Sequence, residues 1–350
     1  MTTATTQTII QKMLITTPPA FSITEAVSIA AGNYGIHGQA HPLDSDRDQN
    51  FRLDANDGKR YVLKISNDAE QLQVIDCQNR ALLYMENHDD SLPLPRVIPE
   101  LDGQLHCDVL KDGKTHFVRV LSWVEGMVLH DTKANAGLAN RLGRLLARLG
   151  LALDGFEHPG SNPPSLWDMK RAAGLRDLLV YIEEPELRAL VTQTLDQFVS
   201  NVKPALDTLR TQVIHGDLNP GNVLMDKAKP DDISGIIDFG DMVKSPLIID
   251  LAIASSYQLS DDDDPLGGAL PMIAGYHAIR PLQAGEMELF TDLIRTRLIT
   301  SLLISSYRVT LFPENRDYLM ISYNSARNFL INLSHLSADD ALERIRAVCT

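Results

Sequence analysis

In the first third of the chain the apolar residues come in short alternating runs. Ile36 to Leu43, Asn50 to Leu53 and Arg60 to Ile65 read as strands, and Asn56-Asp57-Gly58 joins the last two as a hairpin turn. Ahead of them, Ser22-x-x-Glu25 has the form of a capping box. It opens a short helix over Ile23 to Ala31, after which Gly32, Gly35 and Gly38 break the pattern. From Asp68 to Glu86 the spacing turns helical, with Leu72, Ile75, Leu82, Leu83 and Met85 as the apolar positions. Pro93 and Pro95 stop it, and two further strands, Leu105 to Leu110 and Thr115 to Val120, flank an Asp112-Gly113 turn.

Beyond Gly126 the helical period takes over. Ala134 to Leu153 carries Leu138, Leu142, Leu145, Leu146 and Leu149 at spacings of three and four. Further helices are predicted over Leu166 to Leu179, Pro185 to Leu209, Pro246 to Tyr257, Ala284 to Leu311, Glu314 to Ser334 and Ala338 to Val348. One stretch interrupts them, with short β-branched or apolar runs at Val213-Ile214, Val223-Leu224 and Ile236-Ile237. The pattern predicts an α+β chain of two lobes: an antiparallel sheet with one long helix, then a mainly helical part. The boundaries implied are a Thr-rich N-terminal arm over 1–20, a first lobe over 21–121, a hinge at 122–126 and a helical lobe over 127–350.

Composition narrows the class. The 350 residues are 44% hydrophobic and 22% charged, as in an ordinary globular protein. A net charge of −14 argues against a nucleic-acid surface, and it suits a cationic or amine ligand only mildly. The three cysteines have no metal-ligand spacing, and an odd count suits a reducing compartment. No run approaches the roughly eighteen apolar residues of a membrane span, and the N-terminus lacks a signal-peptide pattern, so a cytoplasmic protein is expected. The acids Asp261 to Asp264, beside Pro265 and Gly267, read as a solvated loop.

The candidate chemistry lies in the interrupting stretch. Asp217 and Asn222 are written D-x-x-x-x-N, and Asp238, followed by Phe-Gly, comes sixteen residues after Asn222. That is the spacing of a kinase catalytic loop. There the first Asp accepts the proton of the attacking hydroxyl, while the Asn and the second Asp hold metal against nucleotide phosphates. Asp and Asn are ordinary turn residues one at a time. Three at this spacing, each after a short apolar strand and near glycine, favour the chemical reading. Lys64, in the strand Val62-Leu63-Lys64-Ile65, stands where a lysine pairs with the α- and β-phosphates.

His215-Gly216-Asp217-Leu218-Asn219-Pro220-Gly221-Asn222, followed by Ile237-Asp238-Phe239-Gly240-Asp241, resembles the aminoglycoside phosphotransferase and small-molecule kinase family, which has a protein-kinase-like fold. Asn33-Tyr34-Gly35, Asp48-Gln49-Asn50-Phe51, Tyr61 to Ile65 and Trp167-Asp168 are similar to the hydroxylysine kinase-like subgroup. The resemblance implies transfer of the γ-phosphate of ATP or GTP, with Mg²⁺, to a hydroxyl of a small amine-bearing molecule, best guessed as hydroxylysine or a related amino alcohol. It implies Asp217 as base and Asn222 and Asp238 as metal ligands, with His215 hydrogen-bonded behind the loop.

The usual glutamate partner of the lysine is replaced, with Gln78 at that site and Asp76 as an open alternative. Ser45, in the loop Asp44 to Gln49, and the hinge residues Ser122, Trp123 and Val124 are implied to meet the nucleotide. Asp241 and Asp250 read as structural anchors. For the acceptor, Trp167, Asp168, Arg295, Arg297, Tyr307 and Arg308 are candidates, Arg295 being the one suited to clamp a carboxylate. The altered lysine partner and unusual phosphate loop leave one alternative, a pseudokinase-like module that binds nucleotide or metabolite without transfer.

Overall fold

A computed structural model describes residues 18–45, 47–129, 135–260 and 264–350, apart from the side chains of Asn315, Tyr318 and Ile321. Most of the expected N-terminal arm, Asp46 and the acids Asp261 to Asp263 lie outside the described residues.

The capping box forms. Ser22 Oγ accepts the Glu25 N–H while the Glu25 carboxylate takes the Ser22 N–H, starting helix α1 (Ile23–Tyr34). The helix runs past Ala31 because Gly32 stays helical, and Gly35 at φ +65° ends it. The antiparallel sheet follows: β1 (Gly38–Leu43), β2 (Gln49–Ala55), β3 (Arg60–Ile65), then helix α2 (Leu72–His88), β4 (Val97–Ile98), β5 (Cys107–Lys111) and β6 (Lys114–Ser122). Strand order is β1-β2-β3-β6-β4, with β5 also on β6. Alternation puts Phe51, Leu53, Leu63, Ile65, Val118 and Val120 on one face, where Ala26, Ile29, Ala30 and Tyr34 of α1 cover them. Each large side chain buried there contributes roughly 1.5–3 kcal/mol.

The other long helix of this lobe faces elsewhere. Cys77, Ala81, Leu82 and Met85 of α2 join a second, larger core that continues into the helical lobe. That lobe comprises β7 (Met127–Val128), α3 (Ala136–Ala152), a 3₁₀ segment (Met169–Tyr181), α4 (Pro185–Gln197), a π turn (Phe198–Val202) and α5 (Lys203–Leu206). It continues with β8 (Thr211–Ile214), β9 (Val223–Met225), β10 (Ile233–Ile236), β11 (Val243–Pro246), α6 (Leu247–Ser256), α7 (Leu270–Ile279), α8 (Ala284–Leu311), α9 (Arg316–Ser334) and α10 (Ala338–Val348). Two small sheets, β10-β9-β7 and β11-β8, carry the loop of interest.

Three expectations change. The helix expected at Leu166 is a 3₁₀ segment that begins only after Asp168, whose carboxylate caps the Lys170 N–H. The helix expected from Pro185 to Leu209 is broken by the π turn. Pro246, expected to open a helix, ends β11 instead and leaves α6 to start at Leu247. Helix α7, unforeseen, packs on α3 with backbones in contact. A Cβ on Gly143 would stand 2.0 Å from the Met272 carbonyl oxygen, and one on Gly275 2.0 Å from that of Asn140. Among the described residues no helix is long and apolar enough to cross a membrane.

Candidate active site

The loop after β8 is pinned from behind. His215 is fully buried; its Nδ1 accepts the Asp217 N–H at 3.2 Å, and its Nε2 meets the Ile237 carbonyl at 3.2 Å. Its ring sits edge-on to Phe239, with centroids 4.7 Å apart. Asp250, in the first turn of α6, accepts the backbone N–H groups of His215 (3.1 Å) and Gly216 (2.9 Å). Burial raises the Asp250 pKa above the usual carboxylate range. Gly216 has φ +82°, and a Cβ there would lie 2.4 Å from the Asp241 carbonyl, so this turn admits only glycine.

These anchors fix Asp217. Its Oδ1 accepts Arg297 Nη2 at 2.8 Å; its Oδ2 accepts Asn219 Nδ2 at 2.7 Å and Asn222 Nδ2 at 3.2 Å. Burial pushes its pKa up to about 7, Arg297 pulls it back, and the charges of Asp241 and Asp238 add to the rise. Asn222 also donates to the Asp217 carbonyl at 2.8 Å, so its amide nitrogen is committed to Asp217 and its Oδ1 points the other way.

Asp238 follows β10 in the left-handed region, at φ +59°, rare for a residue with a Cβ. Its Oδ1 stands 3.6 Å from Lys64 Nζ, and the lysine's charge holds its pKa down, at about 2. Half the Asp238 side chain is exposed, so a carboxylate oxygen is open to a further ligand. Asn222 Oδ1 and the Asp238 carboxylate are hard oxygen donors, a set that fits Mg²⁺. Among the described residues no three His, Cys, Asp or Glu side chains gather into a metal cluster.

The expected pairing of Lys64 with Gln78 is not what the structure shows. Gln78 Oε1 accepts the buried Arg119, and Gln78 Nε2 donates to the Gly240 carbonyl at 3.2 Å. Arg119 Nη1 also bonds Asn79 Oδ1 at 3.0 Å, and Arg119 is the cross-strand neighbour of Lys64 in β6. The buried guanidinium needs acceptors along its whole fork, whereas Lys64 has Asp238, and the guanidinium takes the amide. Asp76, on the opposite side of α2, bonds Arg80 at 2.8 Å and His158 at 3.0 Å.

In the β1–β2 loop, Ser45 is exposed, Arg47 Nη2 reaches Asp241 Oδ1 at 3.3 Å, and Asp48 accepts the Asn67 N–H at 3.2 Å. Gln49 is tied to both backbone groups of Phe21. At the hinge, the Ser122 N–H goes to the Arg96 carbonyl (2.8 Å) and the Trp123 N–H to that of Arg60 (3.1 Å). Ser122 Oγ accepts the Arg96 N–H at 2.8 Å. These two residues therefore close the end of β6 against β3 and the segment before β4.

On the acceptor side, Arg295 does not reach the loop. Its guanidinium bonds Asp292 (3.0 Å) and the carbonyls of Leu333 (2.9 Å) and Leu336 (3.0 Å). Arg297, two residues on and therefore on another face of α8, is the arginine at Asp217. Its Nη2 also meets the Tyr257 hydroxyl at 2.9 Å, and its Cζ lies 4.8 Å from the Trp167 ring centre. Trp167 thus stands at the site, whereas Asp168 caps the 3₁₀ segment and pairs with Arg171 at 3.1 Å. The stretch Leu293 to Leu303 carries both Arg295 and Arg297, and the sequence holds no cue to which of them reaches Asp217.

Comparison with known proteins places the chain in a family. The model of the phosphotransferase enzyme family matches residues 39–282. A hydroxylysine kinase of Danio rerio is 28% identical over 342 residues, covering 93% of this chain and 95% of its own. A homoserine kinase of Azorhizobium caulinodans is 33% identical over 190 residues, 53% of this chain and 56% of its own. In fold, an amicoumacin kinase in complex with AMP-PNP, Ca²⁺ and Ami superposes with a TM-score of 0.66 at 16% identity, covering 85% of this chain and 93% of that one. The lysine strand, the loop at Asp217 and the turn at Asp238 all fall inside the matched span, and the chain belongs to the phosphotransferase enzyme family as a small-molecule kinase.

Proposed function

We propose that the protein moves the γ-phosphate of ATP or GTP to the hydroxyl of a small amine-bearing molecule, with hydroxylysine or a related amino alcohol as acceptor. The observation that carries this is Asp217, held by Arg297, Asn219 and Asn222 in one orientation beside the Lys64–Asp238 pair. In this reading the acceptor oxygen forms the new O–P bond as the γ-phosphorus parts from the bridging oxygen, and the hydroxyl proton passes to Asp217. A carboxylate is a weak base, so the larger effect of Asp217 is to align the hydroxyl with the phosphorus. Asn222 and Asp238 would hold Mg²⁺, whose charge offsets that of the phosphates. Lys64 turns from Asp238 to the α- and β-phosphates. With the Ser122 and Trp123 N–H groups occupied, the purine falls to the backbone from Val124 onward.

The homologues support the acceptor class through the hydroxylysine and homoserine named for them. The complete set of Lys64, Asp217, Asn222 and Asp238 speaks against a silent binding module.

The test is nucleotide consumption, with ATP and GTP in parallel, against hydroxylysine, homoserine, ethanolamine, choline and aminoglycosides. On the accepted substrate, Asp217→Ala should lower kcat by at least about a hundredfold while nucleotide binding survives. Turnover retained within about tenfold would remove Asp217 from the role of base.

A further inference from the structure

Arg297 is 3% exposed, in the middle of a helix whose neighbours Leu293, Ile294, Leu298 and Ile299 are all buried. Its guanidinium is permanently charged and carries five N–H groups, of which Nε holds one and Nη1 two. Nη2 is occupied by Asp217 and Tyr257. Nε and Nη1 are buried and have no hydrogen-bond partner, so three of the five donors are idle. A charged donor taken out of water with nothing to bond is the least tolerable kind of orphan. The aromatic rings of Trp167, at 4.8 Å, and Tyr257, at 5.8 Å, lie against the group without supplying an in-plane acceptor to those nitrogens.

The idle nitrogens belong to the same flat group whose third nitrogen holds the base. Any oxygen they bind therefore sits within a guanidinium's width of Asp217, where the acceptor must lie. Nε and Nη1 share no edge of the group, since each forks only with Nη2, so each offers charge-assisted bonds of its own, and a carboxylate oxygen is the small anionic acceptor suited to them. Arg295 cannot serve, since its guanidinium is turned to Asp292 and to the carbonyls of Leu333 and Leu336. We infer that Arg297 receives a carboxylate of the acceptor, so that the substrate is a hydroxy amino acid and not an amino alcohol without an acid group. This rests on the acceptor binding against Asp217 as proposed above. Arg297 then has two roles: Nη2 orients the base, and the idle nitrogens orient the nucleophile's own molecule.

The experiment compares matched acceptors with the full-length protein, Mg²⁺ and nucleotide: hydroxylysine against its decarboxylated analogue, and homoserine against 3-aminopropan-1-ol. The acid of the accepted pair should be favoured in kcat/KM by at least about a hundredfold, as expected when a buried donor is left unpaired by the poorer substrate. In Arg297→Met that ratio should collapse towards unity, chiefly through the KM of the acid, whatever the absolute rate. Arg297→Lys, which restores the charge without the fork, should recover part of it. Acid and decarboxylated partner turned over within about threefold of each other by the wild type would overturn the inference. So would a ratio unchanged in Arg297→Met. The wild-type comparison decides even where a variant does not fold. If aminoglycosides or simple amino alcohols consume nucleotide and the acids do not, the carboxylate assignment fails and the kinase reading stands. If nothing consumes nucleotide, both fail.

Discussion

Gln78 Nε2 donates to the Gly240 carbonyl at 3.2 Å while its Oε1 accepts Arg119, tying helix α2 to the segment two residues beyond Asp238. The residue standing where a lysine partner was expected instead positions the metal-side turn. Gln78→Ala should leave the buried Arg119 and the Gly240 carbonyl each short of a bond and lower stability by about 1–3 kcal/mol, read as a loss of melting temperature. Gln78→Glu should behave differently. It offers Arg119 an ion pair but cannot donate to Gly240, so melting should hold while kcat falls. Equal kcat in Gln78→Glu and wild type would show that the link to Gly240 does not matter.

The pH dependence of transfer follows from Asp217. Its carboxyl must be ionised to take a proton, and burial places its pKa at about 7 in the ligand-free protein. Activity should therefore fall on the acid side as the group protonates. Arg297 opposes that rise, so the acid limb of kcat/KM in Arg297→Gln should lie at higher pH than in wild type. Bound Mg²⁺ lowers both limbs and keeps their order. A limb that stays in place, or moves to lower pH, would contradict the assignment.

Asp238 serves two partners. Replacing it by Ala removes the exposed carboxylate oxygen and the ion pair with Lys64. Nucleotide titrated by calorimetry should then bind equally with and without Mg²⁺, whereas the wild type should bind more tightly with the ion. A Mg²⁺ effect of wild-type size in Asp238→Ala would show that the ion is held elsewhere.

The α3–α7 contact predicts a purely structural failure. In Gly143→Ala the new Cβ would meet the Met272 carbonyl, and in Gly275→Ala that of Asn140. Both contacts are to backbone, so the helices must part, at about 1–3 kcal/mol. Melting temperature should drop in each variant while the KM values of the folded enzyme stay near wild type.

Much of this was legible because the relevant signals are local. β3 runs from Arg60 to Ile65 as its alternation indicated, and α8 and α10 start and stop where their caps stand. The places of Asp217 and Asp238 just beyond short strands are legible from spacing, since a short strand and a tight turn leave little choice of where they go. What stayed hidden depends on partners far along the chain. Gln78 reads as the partner of Lys64 because nothing in the helix reveals that Arg119, 41 residues on, competes for it. Arg295 reads as the carboxylate clamp ahead of Arg297 because α8 is buried on nearly every side from Leu293 to Tyr307, which erases the phase that tells one face from another. Helix α7 went unread for a related reason: its apolar residues mark no single face. β4, β7 and β11 are too short to show a period.

Lys64 belongs to β3 and Asp238 to the far lobe, so their 3.6 Å ion pair spans the cleft, as does the 3.3 Å pair of Arg47 with Asp241. Both cations come from the sheet side and both anions from the helical side. On the proposed reading, a triphosphate entering between them would draw on the same two cations, and each one it captured would undo a bridge. Donor arrival and loosening of the cleft would then be a single event, with the two ion pairs as the latch.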